Sequence, residues 1–181
     1  MAALVIAAGC GPSGPALPPL PSATGTSDQG VFDVDLLNSR AGPPCAGIGQ
    51  PASLTHQQLF EALNQYRVEN GLRPLFYSQA LEEAADDQAR DLWVRGFFSH
   101  TNPDGESPGD RALEAGFCHR YVGENIAAGH TSVEQVMQAW KDSPGHNANM
   151  LDPDFVYVGM GYSFDARGRQ YWAQEFAFDV P

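Results

Sequence analysis

Between Val156 and Phe178 large side chains recur at every second position. Val156, Val158, Met160, Tyr162 and Phe164 alternate with Tyr157, Gly159, Gly161 and Ser163; the run D-A-R-G-R interrupts, and Trp172, Gln174, Phe176 and Phe178 resume the pattern. A period of two sends successive side chains to opposite faces of a sheet, so two such runs joined by turn residues predict a β-hairpin. A lone hairpin is marginal in water, and its faces need a cover. The preceding sequence supplies helices to provide it.

Thr55 and Gln58 form a T-x-x-Q box, after which Leu59, Phe60, Leu63 and Tyr66 recur at helical spacing until Gly71. Ser78 caps a second helix with Glu82 and Glu83 in its first turn. Leu81, Ala84, Ala85, Leu92 and Trp93 lie along one face, and Arg90 and Arg95 fall near its end before Gly96. Ser107-Pro108 opens a short third helix running through Leu113 to Gly116, and the Ser132-x-x-Gln135 box opens a fourth presenting Val133, Val136, Met137 and Trp140. A further strand is expected near "FCHRYVGENIA". The pattern implies an α+β domain in which helices cover an antiparallel sheet.

The domain is expected over residues 55–181, because residues 11–54 are dense in Pro, Gly, Ser and Ala and too poor in large apolar groups to offset ordering entropy. That stretch reads as a tether. Residues 1–10, "MAALVIAAGC", carry a short apolar run that suits a signal peptide, and its "AAGC" end resembles a bacterial lipobox with Cys10 as the acylated residue. The chain is then expected to be exported, as an envelope lipoprotein or an extracellular protein, touching a membrane through the lipid anchor alone. In an oxidising compartment the remaining pair, Cys45 and Cys118, is expected to form a disulfide. With 22 acidic against 10 basic side chains and a net charge of −12, the surface repels a phosphate backbone, so nucleic acid is not an expected partner.

Five histidines are present: His56, His100, His119, His130 and His146. Their spacing matches no short metal motif. His100 and His146 stand out because each sits in a loop at a helix boundary, where functional groups tend to be mounted. His56 reads as exposed on a first turn, His119 and His130 as solvated, and Trp140, Trp172 and Phe176 as core aromatics. Ser143-Pro144 reads as a helix cap and first helical residue rather than a nucleophile.

Five blocks occur in order: "LNQYRVENGLRPL", "FFSHTNPDG", "GENIAAG", "AWKDSPGHNANML" and "VGMGYSF…YWAQEFA". Together they closely resemble the bacterial branch of the CAP superfamily (SCP domain; cysteine-rich secretory proteins, antigen 5 and plant pathogenesis-related proteins of class one) over about residues 55 to 178. The resemblance implies an α-β-α sandwich with a cleft in which two histidines face each other beside acidic groups. On this sequence those positions are His100, Glu124 and His146. A second glutamate expected three residues after Trp140 is replaced by Ser143.

For function, the resemblance implies a cleft-based binding module holding a divalent metal, zinc foremost, on His100 and His146. Its ligand is expected to be a small molecule, a lipid-like molecule or an envelope component, with Glu124 and Ser143 also in the cleft. The alternative is a metal-dependent hydrolase, such as a peptidase, with Glu124 as the catalytic base; the missing acid at Ser143 favours binding. A third reading is a tethered interaction protein with a vestigial cleft.

Overall fold

A computed structural model describes residues 49–179. The expected signal peptide, Cys10, nearly all of the tether and Cys45 lie outside the described residues. The elements are α1 (Leu54–Glu69), β1 (Phe76–Tyr77), α2 (Gln79–Val94), α3 (Pro108–Glu114), β2 (Val122–Ala128), α4 (Val133–Lys141), α5 (Pro144–Met150), β3 (Phe155–Phe164) and β4 (Gln170–Phe178). None of the helices described is long and apolar enough to cross a membrane.

The four strands form one sheet in the order β1-β3-β4-β2. The hairpin pairs β3 antiparallel with β4, and β2 adds antiparallel to the other side of β4. β1 joins β3 in parallel through Phe76↔Tyr157 and Tyr77↔Val158, which makes the sheet mixed. Two residues are too few to show periodicity, so the sequence pattern does not announce this strand.

Alternation sorts the sheet into two covered faces. On one, Val158, Met160, Trp172 and Phe176 pack against Leu59 and Leu63 of α1, Val136 and Trp140 of α4, and Met150 of α5. On the other, Ala173 and Ala177 meet Ala85, Ala89 and Leu92 of α2 and Ala112 of α3. The arrangement is the α-β-α sandwich the resemblance implies. Helix α2 approaches closely because β3 offers glycine beneath it: a Cβ on Gly159 would stand 2.1 Å from the backbone of Leu81 and Glu82, and one on Gly161 2.1 Å from Ala85 O. The glycines that alternate with large residues in β3 thus set the spacing between helix and sheet.

Local signals place the helices with one change. Helix α1 begins at Leu54 and is capped by Ser53, whose Oγ accepts from His56 N; Thr55 lies inside the first turn. Ser78, Ser107 and Ser132 cap α2, α3 and α4 as expected, and Ser107 forms a reciprocal capping box with Asp110. Ser143 occupies the N-cap position of α5, but its side chain makes no capping hydrogen bond.

Candidate functional site

Strand β2 forms the sheet edge opposite β1, and the residues of the candidate site gather around it. Glu124 lies on the face covered by α2 and α3 and has no solvent exposure. Its Oε1 accepts from His100 Nδ1 at 2.5 Å and its Oε2 from Arg111 Nη2 at 2.6 Å. An imidazole N–H turned toward a carboxylate fixes both tautomer and ring orientation. Arg111, from α3, also donates to His100 O at 3.1 Å and Glu106 O at 3.3 Å, so one guanidinium holds the loop that carries His100. That loop is braced further by Asn102, whose Oδ1 accepts from the backbone of Asp104 and Glu106, and by Gln88, which donates to Ser99 O. His100 is positioned before any ligand arrives.

His146, on α5, approaches β2 from the other side of the sheet and is 1% exposed. The connection runs through Asn125, whose Nδ2 donates to His146 O at 3.1 Å and to Gln174 Oε1 at 3.1 Å. Asn149 on α5 donates to Glu124 O at 3.2 Å and Asn125 Oδ1 at 3.0 Å. The Glu124-Asn125 pair therefore serves both faces of the sheet: Glu124 holds His100, and Asn125 holds the helix bearing His146. Residues His100, Glu124 and His146, remote in sequence, are brought to one strand. Ser143, half-buried, stands at the start of α5 three residues before His146.

A second acid does stand beside Glu124, and it comes from β4 rather than from the start of α5. Glu175 pairs directly with Glu124 across β4 and β2, is fully buried, and lies 3.5 Å from Arg111 Nη2. Burial first, and then the charge of Glu124, push its carboxyl well above the ordinary glutamate range, with Arg111 offsetting part of the rise. The site thus favours the protonated form of Glu175. A lone acid in a strand otherwise built from aromatic and apolar residues with Gln170 and Gln174 is the signal in the sequence that could have found it. Arg111 has none beyond its place in a short helix.

The other histidines depart from expectation. His56 is 6% exposed rather than solvated: its Nδ1 faces Ser53 Oγ at 2.5 Å and its Nε2 faces Asp86 Oδ1 at 2.9 Å. His119 is half-buried, with Nε2 donating to Phe178 O and Nδ1 accepting from Tyr121 N; burial lowers its pKa. His130 is half-buried, and Trp172 Nε1 donates to its carbonyl.

As a metal centre the donor set does not close. Among the described residues no three His, Cys, Asp or Glu side chains gather as a cage, and Glu124 spends one oxygen on His100 and the other on Arg111. Its geometry is that of a residue orienting an imidazole.

Along the β2 edge lies a cavity of about 460 Å³. It is walled by the end of α2 and the following Phe97 and Phe98, by Ile126 to Ala128 of β2, and by Trp140 and His146 from α4 and α5. Its size suits a small ligand.

A sequence model of the family described as "CAP: Cysteine-rich secretory protein family" matches residues 60–176. The uncharacterized protein YkwD of Bacillus subtilis (strain 168) is 33% identical over 128 residues, which is 70% of this chain and 49% of YkwD; this chain thus spans about half the length of that relative. Among solved structures, an extracellular protein containing an SCP domain from Bacillus anthracis superposes with a TM-score of 0.64 at 27% identity, covering 72% of this chain and 45% of that one. An outer surface protein of Borrelia burgdorferi gives 0.63 at 21% identity, covering 68% and 92%, and shares the fold. With the family match running from within α1 to Phe176 in β4, across the loop, strand and helix that carry His100, Glu124 and His146, this chain belongs to the CAP family.

Proposed function

We propose that this is an exported CAP-domain protein whose cleft along β2 binds a small or lipid-like ligand without turning it over. The observation that carries this reading is the cavity along β2, walled largely by apolar side chains with His130, His146 and Arg169 among them; His100, Glu124 and Ser143 do not line it. Such a combination of apolar wall and few fixed polar groups is the usual form of a small-molecule site. The hydrolase reading asks Glu124 to act as a base, yet both its oxygens are already engaged and it has no exposure. A divalent ion at His100 and His146 would have two imidazoles and no third protein ligand to draw on among the described residues.

Export is supported by the Bacillus anthracis relative, described as extracellular, and the Borrelia burgdorferi protein, described as an outer surface protein. Anchoring through Cys10 and a Cys45–Cys118 bridge complete the proposal. Labelling cells with a radioactive fatty acid should mark the chain, and Cys10→Ser should lose the mark. Thiol counts on denatured protein should rise on reduction.

The function itself is tested by a fragment set followed by nuclear magnetic resonance, alongside incubation with mixed peptides and lipid esters with and without chelator. Saturable shifts at cavity residues without turnover are expected. Chelator-sensitive hydrolysis abolished by Glu124→Gln would replace this reading with the enzyme.

A further inference from the structure

We propose that the cavity along β2 takes a planar aromatic carboxylate, its ring lying among the aromatic walls and its carboxylate pairing with Arg169. This deepens the cleft-binding reading and rests on it. Three features of the cavity converge on that ligand class.

The first is the wall. Half of the lining residues carry aromatic or imidazole rings, among them Phe97, Phe98, Trp140 and Tyr171. Rings gain from offset or edge-on contact with another ring beyond the area they bury, a gain that an aliphatic chain does not match. Phe98 is 50% exposed and lines the cavity, where a ring entering it would cover the phenyl group.

The second is charge. The chain carries 22 acidic side chains against 10 basic ones, yet the lining includes no Asp or Glu and does include Arg169 with His130 and His146. Arg111, Arg95 and Arg120 are each paired with a carboxylate. Arg169 has no carboxylate within ion-pairing range among the described residues; its guanidinium lies 5.6 Å from the centre of the Tyr171 ring. A planar guanidinium lying near an aromatic ring, with its donors unclaimed by an acid, suits an aryl carboxylate that can meet both.

The third is a pair of orphaned polar atoms. Trp140 is 1% exposed and lines the cavity, and its Nε1 has no hydrogen-bond partner among the described residues. The same holds for Nδ1 of His130, another lining residue. Buried polar groups are seldom left unpaired in a native protein; both atoms are closed off from solvent here, so a ligand oxygen reaches them only if the Trp140 or His130 ring turns as the ligand enters.

The test uses the full chain and 2-naphthoate as probe, followed by calorimetry and by the indole N–H resonance of Trp140. Saturable one-to-one binding is expected, with a shift of that resonance. Arg169→Gln, at an exposed position, should weaken naphthoate by about tenfold or more while leaving the weaker binding of neutral 2-naphthamide unchanged. Octanoate should bind more weakly than naphthoate. Equal affinity of the parent and Arg169→Gln for naphthoate, or equal affinity of the parent for naphthoate and naphthamide, or for naphthoate and octanoate, overturns the assignment. If neutral or aliphatic fragments shift Trp140 and naphthoate does not, the ligand class falls and cleft binding stands. If no fragment shifts any cavity residue, both fall.

Discussion

Glu124 and Glu175 occupy directly paired positions on neighbouring antiparallel strands, and neither carboxyl group is exposed to solvent. Two like charges in such a place disfavour one another, so the site favours a proton on one of the acids. The environment selects Glu175: burial and the charge of Glu124 raise its pKa, while Glu124 takes the shorter contacts to Arg111 and His100.

The raised pKa of Glu175 has a defined sign for stability. In the native chain this carboxyl retains a proton that the unfolded chain gives up above its ordinary value near 4.5. The native state therefore binds more protons, and stability from this group declines as pH rises from about 4.5 toward the raised value. Glu175→Gln keeps the shape and removes the titration. Its stability relative to the parent, measured by urea unfolding between about pH 5 and 8, should increase with pH. Parallel curves would show that Glu175 is ionised in the native chain.

Arg67 fastens the first helix to the end of α5. It is 1% exposed and donates through Nε to Arg73 O and through Nη1 to Met150 O and Asp152 O. Burial lowers its pKa to about 10, opposed by Asp152, and it remains charged at neutral pH. Arg67→Met keeps the packing of the stem but leaves these carbonyls without their donor. A loss of about 3 kcal/mol or more is expected from urea unfolding. A loss under about 1 kcal/mol would mean that water replaces the guanidinium.

Much of this architecture is legible in local patterns. Ser78, Ser107 and Ser132 announce three helix starts, the D-A-R-G-R break announces the hairpin, and five ordered blocks point to His100, Glu124 and His146. What stays hidden depends on register and on contacts far apart in sequence. β1 is two residues long and is made a strand by its partner. Glu175 becomes notable only when the β2–β4 register sets it opposite Glu124. His56 looks like a first-turn surface residue until α2 presents Asp86, thirty residues on, to its ring. Capping and periodicity are nearest-neighbour physics, whereas the polar cluster is tertiary.

The close seat of α2 on β3 gives a steric prediction. A Cβ on Gly161 would meet Ala85 O at 2.1 Å and Ala85 C at 2.2 Å, and helix backbone cannot swing aside as a side chain can. Gly161→Ala must push α2 off the sheet. A cost of about 1–3 kcal/mol or more is expected, read as a fall in Tm. An unchanged Tm would show that the helix can shift without losing its packing on Ala173.

The pair of buried His56 and partly exposed Asp86 gives a second dependence on pH, which is separable from that of Glu175. Burial lowers the pKa of His56, but the hydrogen bond and charge of Asp86, with the charge of Glu82, outweigh it and leave the value above 6.5. The stabilisation is then fully present below about 6.5 and is lost as pH rises through the higher native value. Asp86→Asn retains an oxygen for Tyr162 N, which donates to Asp86 Oδ1 at 2.9 Å, and removes the charge facing the imidazole. With burial left as the dominant influence, His56 should titrate below about 6.5 in the variant, as followed by ring-proton shifts. The variant should lose about 1 kcal/mol near pH 6, a modest figure because Asp86 is partly exposed, and the gap should close toward pH 8. A His56 pKa that does not move on Asp86→Asn would place the source of the rise elsewhere.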